Sequence, residues 1–254
     1  MQTITEIRKA LMEIKTPNDW TKELEGDSRA GVQKLVASWK KSYEKMEAVR
    51  FQHQEKIIYD VSFKNEPTDL IAGIDEAGRG PLAGPVVTAA VIFKEYDDAL
   101  IGINDSKKLS RVKRNAYAKI IKKHAFSFSI HIQPPNKIDE LNIYEATKMS
   151  MTEAVNQLGN QPDVLLVDAM SLPLGITQHS IIKGDAKSLA IAAASILAKT
   201  ARDDLMDELD KIYPQYHFSK NAGYGTALHL DALTKYGPTP IHRRSFEPVK
   251  SMMT

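Results

Sequence analysis

The chain has 254 residues, 43% of them hydrophobic and 26% charged, and a formal net charge of +2. This is enough apolar material for one large domain, or for one domain with an extension, and so small a net charge means that an anionic partner must be met by a local basic patch. The absence of cysteine excludes disulfides, zinc–thiolate sites and thiol catalysis.

The first residues, Gln2-Thr3-Ile4-Thr5-Glu6, carry neither the basic nor the apolar region of a signal peptide. No apolar run approaches the ~20 residues of a membrane-spanning helix. A soluble, cytoplasmic protein is therefore expected. Ile4, Ile7, Leu11 and Ile14 recur at helical spacing, with Thr3 and Glu6 placed as a capping box and Pro17 interrupting the chain. From about Asp27 a second helical pattern sets Val32, Leu35, Val36, Trp39, Tyr43 and Met46 on one stripe and Lys40, Lys41 and Lys45 on another face. Residues 1–68 thus read as a helical extension. It either packs through its apolar stripes with solvated lysines or serves as an accessory nucleic-acid or partner-binding module. Asn65-Glu66-Pro67-Thr68-Asp69 reads as a linker.

From Leu70 onward strands and helices alternate. Leu70–Ile74 and Val86–Phe93 are strand-like, a helix is expected over Ser110–His124, and Ala125–Ile132 alternates as a third strand. A longer helix is expected over Asn142–Leu158. Val164-Leu165-Leu166-Val167, bounded by Pro162 and Asp168, reads as a buried strand. Ser180-Ile181-Ile182 is a weaker strand signal, and Leu189–Ile212 is alanine-rich and helical. The alternation predicts an α/β domain with a central mixed sheet.

Four carboxylates fall at element ends. Asp75 and Glu76 close the strand-like run Ile71–Ile74, Asp168 follows Val167, and Asp185 follows Gly184 just before the long helix. An aspartate after a strand is commonly a turn former or a helix cap, and Asp168 and Asp185 each admit that reading. Adjacent acids at the end of an apolar strand are different, because they repel one another unless a cation joins them. Hard cations such as Mg²⁺ or Mn²⁺ take oxygen ligands, and a pair of them suits phosphodiester hydrolysis. Neighbouring strand residues point to opposite faces, so Asp75 and Glu76 are expected to converge only if the chain leaves strand geometry at Glu76, which Ala77-Gly78 permit. His217, His229 and His242 are scattered without a metal-binding spacing and read as surface or core histidines.

The motifs now form an ordered set. Asp75-Glu76-Ala77-Gly78-Arg79-Gly80-Pro81-Leu82-Ala83-Gly84-Pro85-Val86 resembles the signature of type 2 ribonucleases H, in particular ribonuclease HII. Asp105-Ser106-Lys107-Lys108-Leu109, Leu166-Val167-Asp168-Ala169, Lys183-Gly184-Asp185-Ala186-Lys187-Ser188, Gly223-Tyr224-Gly225-Thr226 and His242-Arg243-Arg244-Ser245-Phe246 resemble the family's later blocks in the family's order. The resemblance covers about residues 70–250. It implies a ribonuclease H-like fold, with residues 69–254 as the catalytic domain. It also implies hydrolysis of the RNA strand of RNA/DNA hybrids and cleavage 5′ to single ribonucleotides in duplex DNA, leaving a 3′-hydroxyl and a 5′-phosphate.

On the same resemblance Asp75, Glu76, Asp168 and Asp185 would hold Mg²⁺ or Mn²⁺. Gly78, Arg79 and Gly80 would read the ribose 2′-hydroxyl, which distinguishes RNA from DNA. Tyr224 would stack on the sugar at the RNA-to-DNA junction, and Ser106, Lys107 and Lys187 would bind phosphates. The expected partners are RNA/DNA hybrid and ribonucleotide-containing duplex DNA, bound by a monomer without a membrane. Asp203 is read as an ion-pair member on a helix surface and is left outside the metal set. The sister type, ribonuclease HIII, is the alternative; the Gly-Arg-Gly turn together with Tyr224 favours HII. Asn221-Ala222 before Gly223 departs from the family's common histidine-lysine.

Overall fold

The computed structural model describes residues 2–253. The chain divides into two compact units, one ending at Gln54 and the other beginning at Glu55. The division falls inside a helix, upstream of the expected linker.

In the first unit, α1 (Ile4–Glu13) starts on the expected capping box: the Thr3 N–H donates to Glu6 Oε2 at 2.7 Å, and the Glu6 N–H donates to Thr3 Oγ1 at 3.3 Å. A short α2 (Asp19–Glu25), which the periodicity did not reveal, is capped by Asn18. The long α3 (Ala30–Val61) begins here. Ile7, Leu11, Leu24, Val32 and Val36 are buried together, with Trp20, Leu35 and Trp39 against them. Tyr43 stacks on Trp39, while Met46 stays exposed. An open groove of about 660 Å³ runs along Leu11, Leu35, Trp39 and Tyr43, with Arg8, Lys15 and Arg50 also in its walls.

The second unit is built on five strands: β1 (Ile71–Ala77), β2 (Val86–Ile92), β3 (Ser127–Gln133), β4 (Val164–Asp168) and β5 (Thr177–Ile181). Their order is β3-β2-β1-β4-β5. The first three are antiparallel neighbours, and β4 lies parallel to both β1 and β5. The predicted mixed sheet is therefore present, with β5 beginning earlier than its weak apolar signal. Helices α4 (Arg111–His124), α5 (Pro135–Leu141) and α6 (Ile143–Asn156) follow the first strands. The turn α7 (Gly184–Lys187), α8 (Leu189–Ile212), the short α9 (Phe218–Asn221) and α10 (Ala227–Tyr236) complete the unit.

Strand alternation sorts the core into two layers. Ala72, Ile74, Ala90 and Ile92 face Met151, Ala154 and Val155 of α6. Ala89 and Val91 face Ala192, Ala193 and Ile196 of α8, with Ala118 and Ile121 of α4 beyond. The alanines of α8 let it lie close on the sheet. At Gly73 a Cβ would stand 2.1 Å from the main-chain carbon of Ala190, so only glycine fits. The edge strand β3 carries its alternation in the opposite sense to a buried apolar face. Ser127 and Ser129 point inward, where the Ser129 hydroxyl donates to the Ala154 carbonyl, while Phe128 and Ile132 are exposed. Among the described residues no helix is long and apolar enough to cross a membrane.

Candidate active site

The carboxylates meet where the sheet opens. The β1–β4 ladder ends at Ile74 opposite Val167, so Asp168 follows directly beside Asp75. One oxygen from each of Asp75, Glu76 and Asp168 lies within 4.8 Å of the others. The expected departure from strand geometry at Glu76 does not occur. β1 continues to Ala77, with Glu76 opposite Thr88 and Ala77 opposite Val87. Convergence comes from the side chains at the open edge: the Asp75 carboxylate turns back to accept the N–H of Glu76 at 2.7 Å, and the longer glutamate covers the remaining distance.

Asp185 sits on α7, next to this group but outside its tightest cluster. Asp168 Oδ1 accepts the Gly184 N–H at 2.7 Å and so ties the α7 turn to the end of β4. The residues beside these two, Ala169 and Lys183, hold left-handed conformations at φ 46° and 56°. Non-glycine residues rarely adopt that region, and it is found preferentially near functional sites.

The electrostatics are unfavourable to bare carboxylates. Burial raises Asp75 well above the ordinary aspartate range, and the charges of Glu76 and Asp168 add to the shift. Burial also raises Glu76, against the opposing charge of Arg79. Asp185 is raised by burial and then by Asp105 and Asp168. Glu76 Oε2 is buried and lacks a hydrogen-bond partner. A cluster of hard oxygen donors with an unpaired buried oxygen and mutual repulsion fits a divalent cation.

Beside the acids the glycine-rich segment from Gly78 to Pro85 is held by two buried arginines that sequence reasoning left unassigned. Arg243 donates through Nε to the Gly84 carbonyl at 3.0 Å, through Nη1 to that of Arg79 at 2.7 Å and through Nη2 to that of Gly78. Arg202 reaches the Pro85 carbonyl at 3.0 Å, Ala83 at 3.2 Å and Ala222 at 3.0 Å. Gly78 has φ +96°, and a Cβ there would lie 2.0 Å from Arg202 Nε. The turn is thus shaped by side chains gripping main-chain carbonyls. Arg79 itself is partly exposed and stands 3.7 Å from Glu76 Oε1.

The fold brings Tyr224 to this turn. The N–H groups of Leu82 and Ala83 donate to the Gly223 carbonyl at 2.8 and 3.3 Å, and the Tyr224 ring is the nearest neighbour of the Gly80 α-carbon's open side. Tyr224 is 48% exposed. Behind it lies a chain of hydrogen bonds. The Thr239 N–H donates to His242 Nδ1 at 2.9 Å, His242 Nε2 meets His229 Nε2 at 3.0 Å, and His229 Nδ1 meets the Tyr224 carbonyl at 2.8 Å. The only consistent tautomers put the proton on Nε2 of His242 and on Nδ1 of His229. Both histidines are buried, as the core reading expects. Asn221, at the departure from the family pattern, bonds the Tyr216 carbonyl and the Gly223 N–H and shapes the same loop.

Lys107 and Lys187 are exposed. Ser106 is buried, with its hydroxyl 3.0 Å from that of Ser195, and Ser195 offsets part of the upward shift at Asp75. Asp203 pairs with Lys199 at 2.6 Å and Arg114 at 2.7 Å. It is an ion-pair member as expected, but in a mostly buried pair, since Arg114 also donates to the carbonyls of Ser106 and Leu109.

A mixed sheet with acids converging at the ends of β1 and β4 defines a hydrolase site of the ribonuclease H-like class. A family model described as ribonuclease HII matches residues 72–249, and one described as the ribonuclease HII N-terminal domain matches residues 3–64. A ribonuclease HII of Lactobacillus helveticus is 52% identical over 97% of this chain and 98% of its own length. One of Bacillus licheniformis is 50% identical over 98% of both. The crystal structure of the ribonuclease H2 from Pyrococcus horikoshii superposes with a TM-score of 0.63 at 28% identity, covering 72% of this chain and 96% of that one. The chain belongs to the ribonuclease HII family, and it is an endonuclease that hydrolyses phosphodiester bonds.

Proposed function

We propose that the enzyme hydrolyses the RNA strand of RNA/DNA hybrids and cuts duplex DNA 5′ to a single embedded ribonucleotide, leaving a 3′-hydroxyl and a 5′-phosphate. The observation that carries this reading is the juxtaposition of three converging carboxylates, an open-edged Gly-Arg-Gly turn and an exposed tyrosine ring. The chemistry belongs to residues 69–254, with the helical 1–68 extension added to them.

Asp75, Glu76, Asp168 and Asp185 would hold Mg²⁺ or Mn²⁺. When bound, such an ion supplies Lewis-acid stabilisation of phosphodiester oxygens. The protein's own part is orientation. The main chain of Gly78-Arg79-Gly80, fixed by Arg243, presents polar groups close enough to read a 2′-hydroxyl. Tyr224 offers a stacking face to the sugar at the junction. Lys107 and Lys187 meet backbone phosphates, and Ser106 contributes by holding the Lys107 loop against Ser195.

The test is cleavage of a labelled DNA duplex carrying one ribonucleotide, beside an all-RNA/DNA hybrid, with Mg²⁺, Mn²⁺ or EDTA. A metal-dependent cut 5′ to the ribonucleotide is expected. Asp75→Asn should abolish it with binding retained, and Tyr224→Ala should lower junction cleavage more than hybrid cleavage. Cleavage of the hybrid alone would overturn the junction reading. Equal losses on both substrates would remove Tyr224 from it.

A further inference from the structure

We propose that Lys56 and Asp60, at the C-terminal end of α3, are positioning residues that fix the Asp185 turn from behind. The inference rests on reading Asp185 as a metal ligand. Both residues belong to the unit that begins at Glu55. They stand four apart and so share one helix face. Lys56 is only 4% exposed, and its Nζ donates to the main-chain carbonyl of Asp185 at 3.0 Å and to Asn104 Oδ1 at 3.2 Å. Asp60 is fully buried, and its Oδ2 accepts the N–H of Ala190 at 2.9 Å. The two side chains therefore grip main-chain groups on either side of the segment from Asp185 to Ala190.

The choice of residues is expensive for mere packing. Burying an ammonium and a carboxylate costs more than burying apolar side chains of similar size. Here Lys56 is spent on the Asp185 carbonyl and the Asn104 amide oxygen, and Asp60 on the Ala190 N–H, so Lys56 holds Asp185 by its main chain and not by its carboxylate. Asn104 extends the tether: its Oδ1 also accepts the Asp105 N–H at 2.9 Å, so Lys56 links the Asp185 turn to the loop carrying Ser106 and Lys107. Asp168 holds the first residue of α7 through the Gly184 N–H. Residues 184–190 are thus pinned at three main-chain points, and the side chain of Asp185 has a fixed origin.

The experiment compares full-length wild type with Lys56→Met, which keeps the packing volume, and with Asp60→Ala and Asp60→Asn, the last retaining an acceptor. Amide exchange of the metal-free proteins is followed by mass spectrometry, alongside kcat, KM and the Mn²⁺ concentration for half-maximal cleavage. Lys56→Met is expected to speed exchange across residues 184–190 while other sheet peptides keep their protection. It should raise the metal requirement about 10- to 100-fold, lower kcat and leave KM within a factor of about two. Asp60→Ala should behave likewise, and Asp60→Asn should recover most of the loss. Wild-type exchange in that segment, or faster exchange spread evenly over the whole unit, would overturn the proposal. If Lys56→Met does not fold, Lys56→Gln, which retains one donor, is judged by the same two readouts. The exchange arm contains no metal, so it stands apart from the reading of Asp185. Wild-type cleavage by Asp185→Asn would sink that reading alone.

Discussion

Asp75 carries a charge that its surroundings oppose. It is buried, and Glu76 and Asp168 stand beside it with the same sign. A carboxylate whose folded-state pKa is raised weakens the fold once the pH exceeds its unfolded value. Replacing that carboxylate by an amide should therefore strengthen the metal-free protein. Asp75→Asn is expected to raise Tm in EDTA at neutral pH and to shrink the further rise that Mn²⁺ gives the wild type. A lower Tm in EDTA would mean that the hydrogen bond from the Glu76 N–H outweighs the repulsion. The acids themselves were legible in the sequence because each ends a short apolar run. The arginines were not: Arg243 reaches a carbonyl 165 positions away, and no local pattern marks a side chain whose partner is a distant main chain.

At the scale of elements, the loop bearing Tyr224 depends on α10, which the periodicity did not separate from its surroundings. His229 lies on this helix, and His242 reaches it from the chain beyond. Burial, with the neighbouring His229, pulls His242 down to about 4 from the ordinary 6.5. Between those values the unfolded chain takes up a proton that the folded chain refuses. The contribution is therefore fully present above pH 6.5 and is lost as the pH falls toward 4, at up to about 1.4 kcal/mol per pH unit. His229 is shifted in the same direction by burial. Urea midpoints at pH 7.5 and 5 are expected to fall further for wild type than for His242→Asn. Equal falls would mean that His242 titrates alike in both states. The strands were easier to read than this pair, because apolar runs announce them. β3 shows the limit: its alternation marked a strand without revealing that the small hydroxyls of Ser127 and Ser129, the latter bonded to α6, take the inner face.

For the whole molecule, the linker at residues 65–69 and the division after Gln54 make different predictions about where the catalytic part begins. A protein of residues 55–254 retains Lys56 and Asp60; one of residues 69–254 does not. The first is expected to unfold cooperatively and to cleave with Mg²⁺, and the second to lose at least about tenfold in cleavage. Equal activity and equal urea midpoints would place the boundary at the linker. Proline and glutamate in that stretch suggested a break, whereas the end of α3 shows no change in composition, and only its three-dimensional contacts assign it to the second unit.

The contact at Gly73 sets a ruler for the site. β1 carries Asp75, and α8 begins just after Asp185 and carries Ser195. At Gly73 the main chain of α8 lies directly against that of β1, with only the Ala190 methyl beside the contact. A side-chain spacer can be trimmed or enlarged by mutation and would carry such changes into the separation of the acids. Direct backbone contact has no such adjustable part. Substitutions in the apolar layer under α6 can therefore alter stability without rescaling the distance between the two halves of the site, which leaves the core free to drift while the chemistry keeps its dimensions.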